Sequence, residues 1–109
     1  MKKIDAHAHI GEIGGWANVA ATPEQLLTLM ETYEIEKTVI CSQDNEAVYQ
    51  AVNKWPDRFL GAVYVNPLEE TCTQQLKQYL DKGFHAVKLN PLRHAFVADD
   101  LCVDPVMEL

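Results

Sequence analysis

Short strand signals alternate with helix signals along the whole chain, and this alternation restricts the possible folds most. Four segments rich in apolar and β-branched residues are predicted strands: 3–9, 38–41, 59–65 and 85–89. The segments between them carry apolar residues at helical spacing. Strands that are apolar on both faces and separated by helices form parallel sheets with helices packed against them. The sequence therefore predicts an α/β fold with the order βαβαβαβ.

Capping and stop residues indicate where the helices begin and end. The run 22–25, Thr-Pro-Glu-Gln, has the pattern of a capping box with proline in the first helical position. A second helix is predicted to begin near Asp44 or Asn45, and Gly83 is predicted to end the third.

The last residues of the sequence resemble the first turn of a further helix. Asp104 is a predicted N-cap, and Pro105 fits the first helical position. An isolated helix needs about 12–15 residues to be even marginally stable in water. Because only residues 106–109 follow, we expect a truncated chain whose natural continuation is a fifth strand.

Composition argues against several classes of partner. The net charge is −7 and the basic residues are scattered, whereas nucleic-acid binding needs clustered lysine and arginine. No apolar run approaches the roughly 20 residues of a membrane helix. Cys41, Cys72 and Cys102 are odd in number and form no C-x-x-C pair. A disulfide framework is therefore not expected, and a cytoplasmic location is predicted.

Two histidines at the end of the first predicted strand carry the main chemical signal. Side chains two residues apart in a strand share a face, which predicts one face for Asp5, His7 and His9. Two imidazoles there suit a single metal ion at about 2.0–2.1 Å each. The glycine-containing loop after them predicts a place at the C-terminal sheet edge, where active sites lie. We interpret His7 and His9 as metal ligands, and Asp5 as orienting one of them or pairing with a lysine.

Three stretches of the sequence resemble one known family. The segment 4–11, Ile-Asp-Ala-His-Ala-His-Ile-Gly, resembles the first-strand motif of the amidohydrolase superfamily in its amidohydrolase-related branch. The segment 57–61 followed by 65–67, and the segment 83–91, are similar to that branch as well. Together they extend the resemblance over nearly the whole chain.

The resemblance implies a metal-dependent (β/α)8 barrel. Its ligands are two histidines from strand one and one histidine each from strands five and six, with an aspartate from strand eight. The divalent metal, commonly zinc, activates a water whose proton the aspartate handles, and some members decarboxylate or hydrate instead. Only the first pair has counterparts here, His7 and His9.

A whole barrel typically takes about 250 residues. We therefore expect residues 1–109 to form one incomplete domain, truncated before strand five and inactive alone. The expected fold is the N-terminal half of a (β/α)8 TIM barrel, with four parallel strands and outer helices.

Weaker candidates lie on the fourth predicted strand and in the loop after it. Lys88 occupies a strand where some superfamily members carry a metal-bridging carbamylated lysine, but pairing with a carboxylate is the preferred interpretation. Asn90 is predicted to orient substrate or to cap the following loop. Arg93 is a carboxylate clamp or a solvated loop residue. His94 is a candidate ligand or acid, with a surface histidine as its alternative.

Two further residues lie at strand ends. Cys41 ends the second predicted strand and borders the predicted site, where a buried structural thiol is the preferred interpretation. His85 begins the fourth strand, at the edge where barrels place stabilising residues, and is given no role.

These observations favour a metal-dependent hydrolase of a small-molecule substrate, with a decarboxylase of the same family as an alternative. A phosphoesterase of the polymerase-and-histidinol-phosphatase kind also begins with H-x-H. It usually continues with Ser-Asp-Gly, where this chain has Gly-Glu-Ile-Gly-Gly at 11–15. A non-catalytic alternative is a gene remnant or self-associating half-barrel, because open sheet edges drive association. If it folds, the chain is expected to form a homo-oligomer.

Overall fold

Four parallel strands form the central sheet, in the order in which they occur along the chain. The computed structural model describes residues 2–13 and 19–109. The strands of this sheet are β1 (Lys3–His9), β4 (Ile35–Cys41), β5 (Phe59–Tyr64) and β6 (Ala86–Lys88). Their spatial order is β1-β4-β5-β6, and each neighbouring pair is parallel. This arrangement is half of a (β/α)8 barrel and confirms the predicted fold class.

One helix precedes each of the last three sheet strands. α1 (Pro23–Thr32) leads into β4, α2 (Asn45–Lys54) into β5 and α3 (Cys72–Asp81) into β6. The predicted capping box is confirmed, because Thr22 Oγ1 accepts from Gln25 N at 3.1 Å and Gln25 Oε1 accepts from Thr22 N at 2.9 Å. In the described part of the chain, no helix combines the length and apolar character that a membrane crossing requires.

The boundaries of α2 and α3 also follow the predictions. The Asp44 carboxylate accepts hydrogen bonds from the backbone of Glu46 and Ala47, both at 3.1 Å, and so caps α2. After α3 ends, Gly83 adopts a φ of 100°, a left-handed conformation that glycine reaches without a Cβ clash.

The hydrophobic core lies between the helices and one face of the sheet. Met30, Val48 and Leu76 come from three different helices and are almost fully buried. They form one cluster with residues at alternate strand positions, namely Ile40, Phe59 and Val63. Because strand side chains alternate between faces, the residues between these, such as Cys41 and Ala62, face the other side of the sheet. That side corresponds to the interior of a complete barrel.

A short hairpin follows β1, where the sequence predicts only a glycine-containing loop. Its strands β2 (Gly11–Ile13) and β3 (Val19–Ala21) pair antiparallel. Each is too short to display a periodic pattern, which is why the sequence does not reveal it. Gly14 and Gly15, also assigned to that loop, lie outside the described residues.

The C-terminal residues differ from the prediction in how their helix begins. A 3-10 turn (Leu101–Val103) runs directly into α5 (Asp104–Met107). The predicted N-cap at Asp104 is wrong, because this residue already has helical angles, φ −53° and ψ −47°. The Asp100 carboxylate caps the preceding turn instead, accepting from Cys102 N at 3.1 Å.

Several boundaries of the sheet strands and one loop also differ from the predictions. β4 begins at Ile35 and not at residue 38. The Arg58 side chain fixes the first two residues of this strand. Arg58 donates from Nε to Glu36 O at 3.0 Å and from Nη2 to Ile35 O at 3.1 Å. β6 is shorter than predicted, at Ala86–Lys88, and the loop after it contains a single-turn helix, α4 (Pro91–His94).

Gly61 in β5 lies against the ring of Phe84, and this contact requires a glycine. A Cβ at residue 61 would come within 2.9 Å of two ring carbons. We expect Gly61→Ala to lower the free energy of unfolding by about 1–3 kcal/mol, because added volume in a packed core forces neighbours apart. Denaturant unfolding followed by circular dichroism measures the change.

The control repeats Gly61→Ala in a chain that also carries Phe84→Leu. Without the ring, Gly61→Ala is expected to cost less than in the wild-type chain, so the two substitutions are coupled. An equal cost in both backgrounds would contradict the packing of Phe84 on Gly61.

Candidate metal centre

The C-terminal ends of β1 and β4 meet at one edge of the sheet. Ala8 is the register partner of Ile40, and His9 is the partner of Cys41. Ile40 belongs to the core on the helix-covered face. The next pair, His9 and Cys41, therefore faces the opposite side, toward the barrel interior.

His7, His9 and Cys41 form a group of three potential metal ligands, the one such group among the residues that the structure describes. Their donor atoms all lie within 4.8 Å of one another. The two imidazole rings are 4.6 Å apart between centroids and nearly perpendicular, at 86°. His7 is exposed, His9 is half-buried and Cys41 is only 1% exposed. The group is thus open to solvent on the side of His7 and closed on the side of Cys41.

Asp5 departs from the shared face that strict alternation predicts. Its register partner is Thr38, while Ala8 pairs with Ile40, so an advance of three residues along β1 matches an advance of two along β4. This irregularity interrupts the alternation of side chains. Asp5 Oδ1 accepts a hydrogen bond from the backbone N of His7 at 3.0 Å. Its carboxylate thus fixes the main chain of His7, rather than an imidazole nitrogen or a lysine.

The electrostatic setting favours uncharged imidazole at His9. Burial lowers the pKa of His9, and the nearby His7 and Lys88 lower it further. Burial raises the pKa of the Cys41 thiol, an effect that the positive charge of Lys88 partly offsets. Neutral imidazole is the form that binds a metal.

Lys88 lies close enough to act on both residues. It pairs with Tyr64 across β5 and β6. Within residues 2–13 and 19–109, no carboxylate comes within 4.0 Å of its ammonium group, so the preferred interpretation of a salt bridge finds no partner there. Its charge instead faces the histidines and Cys41 across the inner side of the sheet.

The three candidates after β6 lie together around α4. Asn90 Oδ1 accepts from Arg93 N at 3.1 Å, which is the capping role predicted for it. Arg93 Nη2 donates to Gln43 Oε1 at 3.2 Å. His94 is partly buried and packs its ring against Tyr64, with 3.5 Å between Nε2 and the hydroxyl oxygen. Arg93 and His94 line a polar recess together with Tyr64, at the C-terminal end of β5.

From the sequence, Cys41 is predicted to border the site as a buried structural thiol and not to join the histidines as a ligand. The predicted burial is correct, but Cys41 stands outside the core cluster and faces the opposite side. One signal does point to it, because Cys41 ends its strand as His9 ends β1. Parallel strands bring such ends to the same edge. The register that makes them direct neighbours is visible only in the folded chain.

An amide clamp fixes the C-terminal end of β5 at this edge. Asn45 Nδ2 donates to Tyr64 O and Asn45 Oδ1 accepts from Tyr64 N, both at 2.8 Å. The first residue of α2 is therefore tied to the last residue of β5. Tyr64 in turn positions His94 and stands beside Lys88.

We expect Asn45→Asp to lower the free energy of unfolding by about 1–3 kcal/mol. The substitution removes the donor to Tyr64 O and turns a carboxylate toward that partly buried carbonyl. Asn53→Asp makes the same chemical change at an exposed position of α2 and is expected to stay within about 0.5 kcal/mol of the wild type. Thermal and denaturant unfolding compare the two variants. Equal stabilities would argue against the clamp.

The sequence matches no protein-family model, and no curated protein is significantly similar to it. Solved structures nevertheless share its fold. A 4-oxalomesaconate hydratase from Rhodopseudomonas palustris superposes with a TM-score of 0.71 at 19% identity, over 97% of this chain and 48% of its own. A protein described as an amidohydrolase II gives a TM-score of 0.76 at 17% identity, over 97% and 46%.

A third similar structure is a 2,6-dihydroxybenzoate decarboxylase from Rhizobium, with a TM-score of 0.59 at 19% identity, over 82% of this chain and 38% of its own. The chain thus spans less than half the length of each of these three structures. At such identities the likeness shows the fold. The chain has the fold of part of the barrels on which a hydratase, an amidohydrolase and a decarboxylase are built.

Proposed function

We propose that the chain is the N-terminal part of a metal-dependent hydrolase of the amidohydrolase superfamily that acts on a small molecule in the cytoplasm. The observation that carries the proposal is the pair of imidazoles, 4.6 Å apart, at the C-terminal edge of β1. In barrel enzymes this edge holds the reacting groups. The fold shared with three enzymes supports the same proposal.

The donor set fits a transition metal, and we propose zinc. Imidazole nitrogen suits zinc and related ions, whereas magnesium and calcium prefer oxygen ligands. When bound at such a site, zinc lowers the pKa of a water molecule and polarises a carbonyl group, which is the chemistry of hydrolysis. Asp5 supports this role through the hydrogen bond that fixes the backbone of His7.

Residues of this chain form one side of the proposed active site. His7 and His9 hold the metal, and Lys88 faces the same region without a carboxylate partner among the described residues. We propose Lys88 as the group that contacts a negatively charged part of the substrate. Asn90 and His94 position the loop after β6. The remaining ligands and the acid–base group are supplied from outside residues 1–109, so the isolated chain has no substantial hydrolase activity.

Two other functions have specific support. A decarboxylase is favoured by the likeness to 2,6-dihydroxybenzoate decarboxylase, and it would use the same two histidines. A non-catalytic, self-associating half-barrel is favoured by β1, an edge strand in which Ile4 is 66% exposed. An unpaired strand edge with apolar side chains is a ready surface for pairing with another chain.

The metal proposal predicts that zinc binding depends on both histidines. We expect His7→Ala and His9→Ala each to weaken zinc binding at least about tenfold, because each removes one of the nitrogen donors. Titration calorimetry at neutral pH measures affinity and stoichiometry.

His85→Ala is the matched control for these variants, since His85 precedes β6 at the opposite edge of the sheet. Its zinc affinity is expected to equal that of the wild type. Wild-type affinity in both His7→Ala and His9→Ala would show that the strand-end pair is not the metal site.

The exposed edge of β1 predicts self-association. We expect the wild-type chain to form a dimer or larger assembly, and Ile4→Lys to shift it toward the monomer because a charge at an edge strand opposes pairing. Leu29→Lys, on the outer surface of α1, introduces the same charge away from that edge. Sedimentation velocity over a range of concentrations measures the assembly. A wild-type chain that stays monomeric at high concentration would remove the support for the half-barrel alternative.

A further inference from the structure

We propose that Cys41 is a third metal ligand, so that His7, His9 and Cys41 together form a His2Cys site within this chain. The inference rests on the proposed metal at His7 and His9, and it adds a sulfur ligand from the neighbouring strand. Two histidines from one strand would hold an ion loosely. A third ligand from a second strand would fix it against the sheet.

The register of the sheet places the thiol where a ligand is needed. Cys41 pairs directly with His9, and Ile10 N donates to Cys41 O at 3.2 Å, so the two strand ends are held together by the backbone. The side chain is buried yet does not belong to the core cluster, because it faces the inner side of the sheet. Strand pairing therefore brings this side chain to the same side of the sheet as His9.

The distances are compatible with a single tetrahedral ion. Zinc bonds of about 2.0–2.1 Å to nitrogen and about 2.3 Å to sulfur put ligand atoms roughly 3.3–3.6 Å apart. The three donor atoms already lie within 4.8 Å of one another. Rotation of the half-buried and exposed imidazoles would close the difference. Within the described ranges, the Cys41 Sγ makes one weak hydrogen bond, to Ala8 O at 3.7 Å, so little hydrogen bonding is lost when it turns to an ion.

The chemistry of the group supports the assignment. On binding, the Cys41 thiol gives its proton to solvent and the sulfur electron pair forms the bond to the ion. The ammonium group of Lys88 acts on both Cys41 and His9, and it would compensate the negative charge of the thiolate. Sulfur together with imidazole selects zinc or cobalt over magnesium and calcium. Three ligands from this chain leave one tetrahedral position for a water molecule or for a ligand from outside residues 1–109.

Cobalt(II) reports directly on a sulfur ligand, because a cobalt–thiolate bond gives an intense near-ultraviolet charge-transfer band that imidazole ligands do not give. The full chain is titrated with cobalt chloride under reducing conditions. The wild type is expected to show the band at saturation. Cys41→Ser is expected to lose it and to bind cobalt at least about tenfold more weakly. Cys72→Ser, which alters a buried cysteine of α3 outside the group, is expected to keep the wild-type spectrum.

The outcomes separate this inference from the proposed function. Cobalt binding that requires His7 and His9 but gives no charge-transfer band overturns the role of Cys41 alone, as does an unchanged affinity in Cys41→Ser. Binding that is insensitive to His7→Ala and His9→Ala overturns the metal pair itself. If Cys41→Ser unfolds, X-ray absorption of the zinc-loaded wild type decides. One sulfur at about 2.3 Å supports the assignment, and a shell of nitrogen and oxygen alone refutes it.

Discussion

The parallel pairing of β1 with β4 is the contact on which the candidate site depends. β1 is an outer strand of the sheet, and β4 is its one neighbouring strand among the described residues. The register brings His9 beside Cys41, and the backbone bond from Ile10 N to Cys41 O closes the pairing just beyond β1. At the other end of β4, Arg58 binds the carbonyls of Ile35 and Glu36. β4 is therefore held at both ends, by the Arg58 side chain where it begins and by the backbone of β1 and Ile10 where it ends.

The packing on the opposite face keeps the inner side free for polar groups. The apolar helix residues are buried against the face that carries Ile40 and Val63, so the other face can hold histidine, cysteine and lysine. Asn45 and Asn90 then use their amide side chains to fix the backbone where β5 and β6 end. These hydrogen bonds fix the backbone around the candidate site. The site is thereby pre-organised without contacts made by the candidate ligands themselves.

Local sequence signals predict the order of the elements and most helix boundaries, because caps, prolines and glycines act within a few residues. The shared position of His7 and His9 is also predictable, since it depends only on the alternation of one strand. The strand end also predicts that Cys41 borders the site. Its direct pairing with His9 is not predictable, because it depends on the register between strands far apart in sequence. The same limit applies to Asp5. Its pairing with Thr38 comes with a register shift between β1 and β4, which alternation along one strand cannot predict. The early start of β4 likewise depends on Arg58, a residue distant in sequence from Ile35.

The outer position of β1 has a thermodynamic consequence. A strand with one neighbour frays more readily than one held on both sides, and its amide protons exchange with solvent sooner. An ion that bridges β1 and β4 would bind only the closed state, so it would suppress this fraying in proportion to its occupancy. Self-association through the same edge would act on the same opening equilibrium. Ion binding and self-association would then be coupled through the opening of β1. Each would change the concentration at which the other is half complete.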